Sequence, residues 1–120
     1  MSKKTVLIGA STNPERYSYL AIHQLRKHKH EVIAIGKSNG LVADVTIIND
    51  NPLIKEVDTV TLYINPSTQK YYYQYILSLH PKRIIFNPGT ENDEFFQSAK
   101  ENGIEPLQAC TLVLLSTGQY

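Results

Sequence analysis

"VLIGASTNPERYSYLAI", residues 6–22, decides the fold class of this 120-residue chain. Val6, Leu7 and Ile8 run into a glycine, a small polar turn follows, and a segment of helical character begins. A short unbroken apolar run ending in glycine is the pattern of a strand buried on both faces, as in a parallel sheet. The spacing predicts a strand over residues 5–10, a loop from 11 to about 16 and a helix over about 17–27, with a start a few residues earlier as the alternative, whose apolar stripe is Leu20, Ile22 and Leu25.

The same alternation continues without a linker. "EVIAIG" (31–36) reads as the second strand, residues 46–48 as the third, "DTVTLYIN" (58–65) as the fourth, "RIIFN" (83–87) as the fifth and "IEPLQA" (104–109) as the sixth. Pro66 opens the helix after the fourth strand, where its missing N–H costs nothing. Pro88, Gly89 and Thr90 turn the chain into a helix over 91–102, with Gly103 as its C′ residue. Strands joined by crossovers of helical length imply an α/β protein. The expectation is a single Rossmann-like, doubly wound parallel sheet of five to six strands with helices on both faces, forming one domain over residues 1–120. In "YYYQY", Tyr72, Tyr75, Ile76 and Leu79 fall on one helical stripe that packs on the sheet, leaving Tyr71 and Tyr73 partly exposed for a partner surface.

Composition narrows the function. A formal net charge of +1 with 19% charged residues lacks the positive field that sequence-independent nucleic-acid binding needs, and the apolar runs are too short to span a membrane. Cys110 is the single cysteine and cannot form an internal disulfide; with the polar start Met1-Ser2-Lys3-Lys4, the expected location is cytoplasmic.

Doubly wound sheets bind ligands outside the carboxyl ends of their strands. The residues to weigh are therefore Gly9, Ala10, Ser11, Thr12 and Asn13; Gly36, Lys37 and Ser38; Ile64, Asn65 and Pro66; and Asn87, Pro88, Gly89 and Thr90. The first loop has one glycine where a dinucleotide fingerprint has three. Small neighbours, the hydroxyls of Ser11 and Thr12, Asn13, the Arg16 charge and a helix N-terminus still suit a phosphate. The alternative is an ordinary tight connection capped by Ser11 or Asn13. Gly9 is expected to stand where the main chain approaches a phosphate, so that added bulk excludes ligand without unfolding the domain. After the second strand, where an NAD site carries Asp or Glu, this chain has Lys37. A cation there suits a phosphorylated ribose, in NADP or in coenzyme A.

"GASTNPERYSY" resembles the G-A-S-x-x-P-x-x-x-S-Y stretch of the small stand-alone coenzyme A-binding domain proteins, which are similar to the nucleotide-binding domain of succinyl-coenzyme A synthetase α chains. Gly9, Ala10, Ser11, Pro14, Ser18 and Tyr19 match, and "HEVIAIGK", "VDTVTLYINP" and "IIFNPGTENDEF" extend the similarity over nearly the whole chain. The resemblance implies a Rossmann-like fold and a coenzyme A or acyl-coenzyme A ligand lying over these loops, with Tyr17, Ser18 and Tyr19 joining the residues above. Gly36-Lys37 replaces an Asn-Pro common in the family, and Lys29 stands where glycine commonly ends the first helix, at a cost of about 1 kcal/mol if Lys29 must adopt positive φ.

No catalytic or metal-ligating set is expected. His28 and His30 lie in a helix-to-strand turn without a third ligand and read as solvated, and Cys110 reads as a buried structural cysteine near a helix start. The expected function is non-catalytic binding of coenzyme A. An NADP-binding module, a coenzyme A-binding subunit of an acyl-coenzyme A ligase with a separate ATP-grasp partner, and an interaction module remain as alternatives. The apolar segment 112–115 either completes the core or packs against a second copy or an unknown protein partner.

Overall fold

The computed structural model of the chain describes residues 2–120. It is an α/β fold around one seven-stranded sheet, with strands β1 (Thr5–Ile8), β2 (Val32–Ile35), β3 (Gly40–Val42), β4 (Val45–Ile48), β5 (Thr59–Leu62), β6 (Arg83–Phe86) and β7 (Glu105–Gln108) in the order β3-β4-β2-β1-β5-β6-β7. Every pairing is parallel except the β3–β4 hairpin. Helices α1 (Tyr17–Lys27), α2 (Pro66–Gln69), α3 (Tyr73–Leu79), α4 (Asp93–Glu101) and α5 (Thr111–Ser116) fill the connections and follow β7. Among the described residues no helix is long and apolar enough to cross a membrane.

The alternation of side chains along each strand divides the core in two. Val6 and Ile8 of β1 face a cluster with Ile76 and Leu79 of α3 and Phe95 and Ala99 of α4. Leu7 faces the other side, with Ala21, Ile22 and Leu25 of α1 and Leu115 of α5. With helices on both faces, β1 and β5 are buried at every position, Thr59 and Thr61 of β5 included.

The departures from expectation have local causes. β3 adds a strand at the sheet edge, joined to β4 by the two-residue loop Ala43-Asp44, in which Ala43 takes the positive φ (55°) of a tight hairpin turn. Arg26 of α1 holds that turn by donating Nε to Asp44 Oδ1 and Nη2 to Oδ2, both at 2.8 Å. Leu20 does not belong to the apolar stripe of α1: it is exposed, and the small residues Ser18 and Ala21 replace it against the sheet. Tyr71 is exposed and Tyr73 half-buried, its ring stacked on Phe95 at 4.3 Å and its hydroxyl accepting from Asn92. His30 is buried rather than solvated, accepting the Lys3 N–H on Nδ1 at 2.9 Å beneath the Tyr120 ring. Burial lowers its pKa. The final segment docks as α5, which buries Thr111 and Leu115 and leaves Val113 exposed.

Helix α1 ends in two crossed bonds, Lys29 N–H to the Arg26 carbonyl (2.9 Å) and His30 N–H to the Leu25 carbonyl (3.0 Å), the Schellman arrangement that places its C′ residue in the left-handed region. Lys29 occupies that position with φ 65°. Helix α4 ends identically on Gly103, φ 74°. Lys29→Gly is therefore expected to stabilise the protein by about 1 kcal/mol and Gly103→Ala to destabilise it by a similar amount, read by urea denaturation.

Candidate functional site

Loops leaving the carboxyl ends of β1, β2, β5 and β6 enclose one groove of about 760 Å³. It lies over the junction of β1 and β5. β1 pairs with β2 on one side and β5 on the other, so the connections leave in opposite directions and the loops splay apart, as at the switch point of any doubly wound sheet.

The first loop is folded on itself by its own polar side chains. Ser11 Oγ accepts the Asn13 N–H, Asn13 Oδ1 accepts the Glu15 N–H, and the Asn13 carbonyl accepts the Arg16 N–H, each at 3.0 Å. Neither Ser11 nor Asn13 caps the helix: the N-cap is Arg16, which makes no side-chain cap bond. The N–H groups of Tyr17 and Ser18, both on the groove wall, are thus left open at the positive end of the helix dipole.

Two glycines let the floor close. Gly9 has φ 101°, and a Cβ there would lie 2.7 Å from the Tyr63 carbonyl oxygen at the end of β5. A Cβ on Gly36 would run into the Ala10 carbonyl oxygen. Gly9 thus lines the groove and at the same time makes room for the neighbouring strand. On the β5 side, Asn65 caps α2 by accepting the Thr68 N–H at 2.9 Å, with Pro66 at the first helical position. On the β6 side the Gly89 N–H is held by Glu91 Oε1 at 2.8 Å.

The structure brings Gly9, Ala10, Ser11, Thr12, Arg16, Tyr17, Ser18, Gly36, Lys37, Asn65, Pro88 and Gly89 to this one groove. Four other candidates do not line it. Asn13 shapes the loop, Pro66 starts α2, and Tyr19 packs into the α1–α5 core with its ring 4.8 Å from that of His23. Asn87 is buried and structural: Nδ2 donates to Thr61 Oγ1 (2.7 Å) and the Leu62 carbonyl (2.9 Å), and Oδ1 accepts the Thr111 N–H (2.9 Å). The groove also takes in Glu15, Tyr63, Thr68 and Tyr72, together with Ser38, Ile64 and Thr90 from the loops already weighed. Thr68 was findable, since it lies one turn past the Asn-Pro that starts α2; Tyr72 was not, because its half-buried ring serves both the core and the wall.

Arg16 and Lys37 supply positive charge, and neither forms an ion pair among the described residues. Tyr63 lies under the floor. The hydroxyls of Thr61 and Thr111 bond to each other at 2.8 Å and leave the buried Tyr63 hydroxyl without a partner, and burial pushes that phenol up, so it stays neutral. Cys110 is half-buried at the N-cap of α5, outside the groove. Among the described residues no three His, Cys, Asp or Glu side chains group closely enough to hold a metal ion.

The family model described as "CoA binding domain" matches residues 3–116. The chain belongs to this CoA-binding domain family. A crystal structure described only as that of an uncharacterized protein is 55% identical, with a TM-score of 0.97 over 100% of this chain and 99% of that one. A hypothetical protein from Pyrococcus horikoshii OT3 shares the fold at 23% identity (TM-score 0.82, 97% of this chain, 83% of that one), as does cell-free ID.343 from Thermus thermophilus at 21% (TM-score 0.84, 98% and 91%). No curated protein matches the chain. In this family member the floor of the groove is a packing contact between main chains, which separates two glycines experimentally. Gly89 also has positive φ (92°), but a Cβ there meets nothing within 4 Å. Gly9→Ala is expected to lose about 2 kcal/mol more stability than Gly89→Ala in thermal or urea unfolding, since only the former adds a main-chain clash to the backbone strain.

Proposed function

We propose that this protein binds coenzyme A, or an acyl derivative, in the groove over β1 and β5, and that it does so without chemistry of its own. The observation that carries the reading is the conjunction of family membership with an uncapped helix N-terminus and two unpaired cations on one groove. A pyrophosphate is matched by the open N–H groups of Tyr17 and Ser18, by the hydroxyls of Ser11 and Thr12, and by Arg16. Lys37, beyond the end of β2, suits the phosphate on the ribose. The groove's size suits an extended nucleotide.

The non-catalytic half of the reading rests on what lines the groove. Its hydroxyls have no histidine beside them, since His23, His28, His30 and His80 lie elsewhere, and Cys110 is outside as well. Nucleophilic catalysis needs such a pair within hydrogen-bond reach. The role that fits is a carrier or sensor of coenzyme A in the cytoplasm, acting through a partner. NADP is the competing ligand, favoured by the same Lys37.

Lys37 makes the reading testable. Coenzyme A is expected to bind about tenfold more tightly than its 3′-dephospho form, the worth of one charge-assisted contact, and Lys37→Ala should narrow that ratio to about twofold in calorimetry. Equal affinities for the two ligands in the unmodified protein would remove Lys37 from the site.

A further inference from the structure

Two walls of the groove, residues 63–68 after β5 and 88–90 after β6, extend beyond the sheet and are not paired to each other by strand bonds. The helical run between them is irregular: α2 has four residues and passes through a 3-10 turn over Lys70–Tyr72 into α3, and Gln69 sits at the first change of helix type.

Gln69, the last residue of α2, is fully buried. Burying an amide is unfavourable unless its hydrogen bonds are made, and an apolar side chain of the same length would fill the space without that cost. Here the bonds run to both walls. Nε2 donates to the Ile64 carbonyl at 2.9 Å and to the Thr90 carbonyl at 2.8 Å. Both partners can only accept, so the orientation of the amide is fixed. Oε1 accepts from Asn92 Nδ2 at 2.9 Å, and Asn92 also donates to the Tyr73 hydroxyl (2.8 Å) while its Oδ1 caps α4 at the Phe95 N–H (3.1 Å).

We propose that Gln69 is a positioning residue for the ligand groove: its amide, bonded to the Ile64 and Thr90 carbonyls, sets the separation of the two walls without touching the ligand. This rests on the reading of the groove as the coenzyme A site. Loss of the amide frees two carbonyls on opposite walls, whereas loss of the Tyr73 hydroxyl removes only the outermost bond of the network and leaves the walls tied.

Gln69→Met keeps length and removes both donors; Tyr73→Phe is the control. Measured well below each melting transition, coenzyme A binding is expected to weaken roughly tenfold in Gln69→Met and to stay within about twofold in Tyr73→Phe. A Gln69→Met protein that melts lower but binds coenzyme A as the unmodified protein does would overturn the proposal, leaving Gln69 a purely structural residue. Should Gln69→Met not fold, the unmodified protein still decides by NMR. Its Gln69 side-chain amide protons should exchange slowly, and about tenfold more slowly with coenzyme A bound, because a ligand held by both walls suppresses their opening. Exchange unaffected by bound coenzyme A would overturn it. Failure of the unmodified protein to bind coenzyme A would instead contradict the reading of the site. The tie between the walls then stands if hydrogen exchange in Gln69→Met accelerates at the amides of Ile64, Asn65, Ser67 and Thr68 and of residues 89–92 alone, and falls if those amides are unchanged.

Discussion

The main chain leaves β1 at Gly9 in contact with the Tyr63 carbonyl at the end of β5, and one residue later the Ala10 carbonyl meets Gly36 at the end of β2. The Gly9 and Ala10 N–H groups both donate to the Ile35 carbonyl at 2.9 Å, which locks the crossing. Three strand ends can approach this closely only where no Cβ stands between them. With them fixed, the chain must rise into the loop 11–16 and enter α1 at Arg16, so the open end of the helix faces the groove rather than the core. A dinucleotide fingerprint reaches a similar arrangement with three glycines. Here one glycine serves the turn, and the second is on another strand.

The rim is built differently from the floor. Asn87 ties the end of β6 to β5 and to the start of α5, and Gln69 ties the wall after β5 to the wall after β6. Both are primary amides that are almost completely buried: Asn87 bonds to the Thr61 hydroxyl, the Leu62 carbonyl and the Thr111 N–H, and Gln69 to the Ile64 and Thr90 carbonyls and the Asn92 amide. Loops carry unpaired carbonyls that a sheet would satisfy, and a buried amide satisfies several at once. The groove thus pairs a floor of main-chain contacts with walls tied by buried side-chain amides.

How much of this was legible depended on whether the cause was local. The central parallel strands were legible because burial on both faces favours apolar runs such as those of β1, β2 and β6, and α1 was legible to within a few residues because a polar loop precedes it and the turn at Lys29 follows it. The loops that form the groove were legible for the same reason, since strand ends mark them. β3 was not: three residues beginning at a glycine carry no alternation, and its turn relies on Ala43, which nothing in the sequence marks for positive φ. The exposure of Leu20 and the burial of His30 depend on what α1 and Tyr120 happen to meet. The amides of Asn87 and Gln69 bond to groups up to 26 residues away, a relation that no spacing rule expresses.

The central claim is that this groove selects coenzyme A over other phosphorylated nucleotides, and native mass spectrometry tests it most directly. Protein mixed with equal concentrations of coenzyme A, NADP and NAD should carry one bound coenzyme A per chain as the dominant complex, and a Gly9→Ala protein that remains folded should carry less. A dominant NADP complex, or a spectrum of unliganded chain at ligand concentrations that saturate ordinary nucleotide sites, would contradict the account.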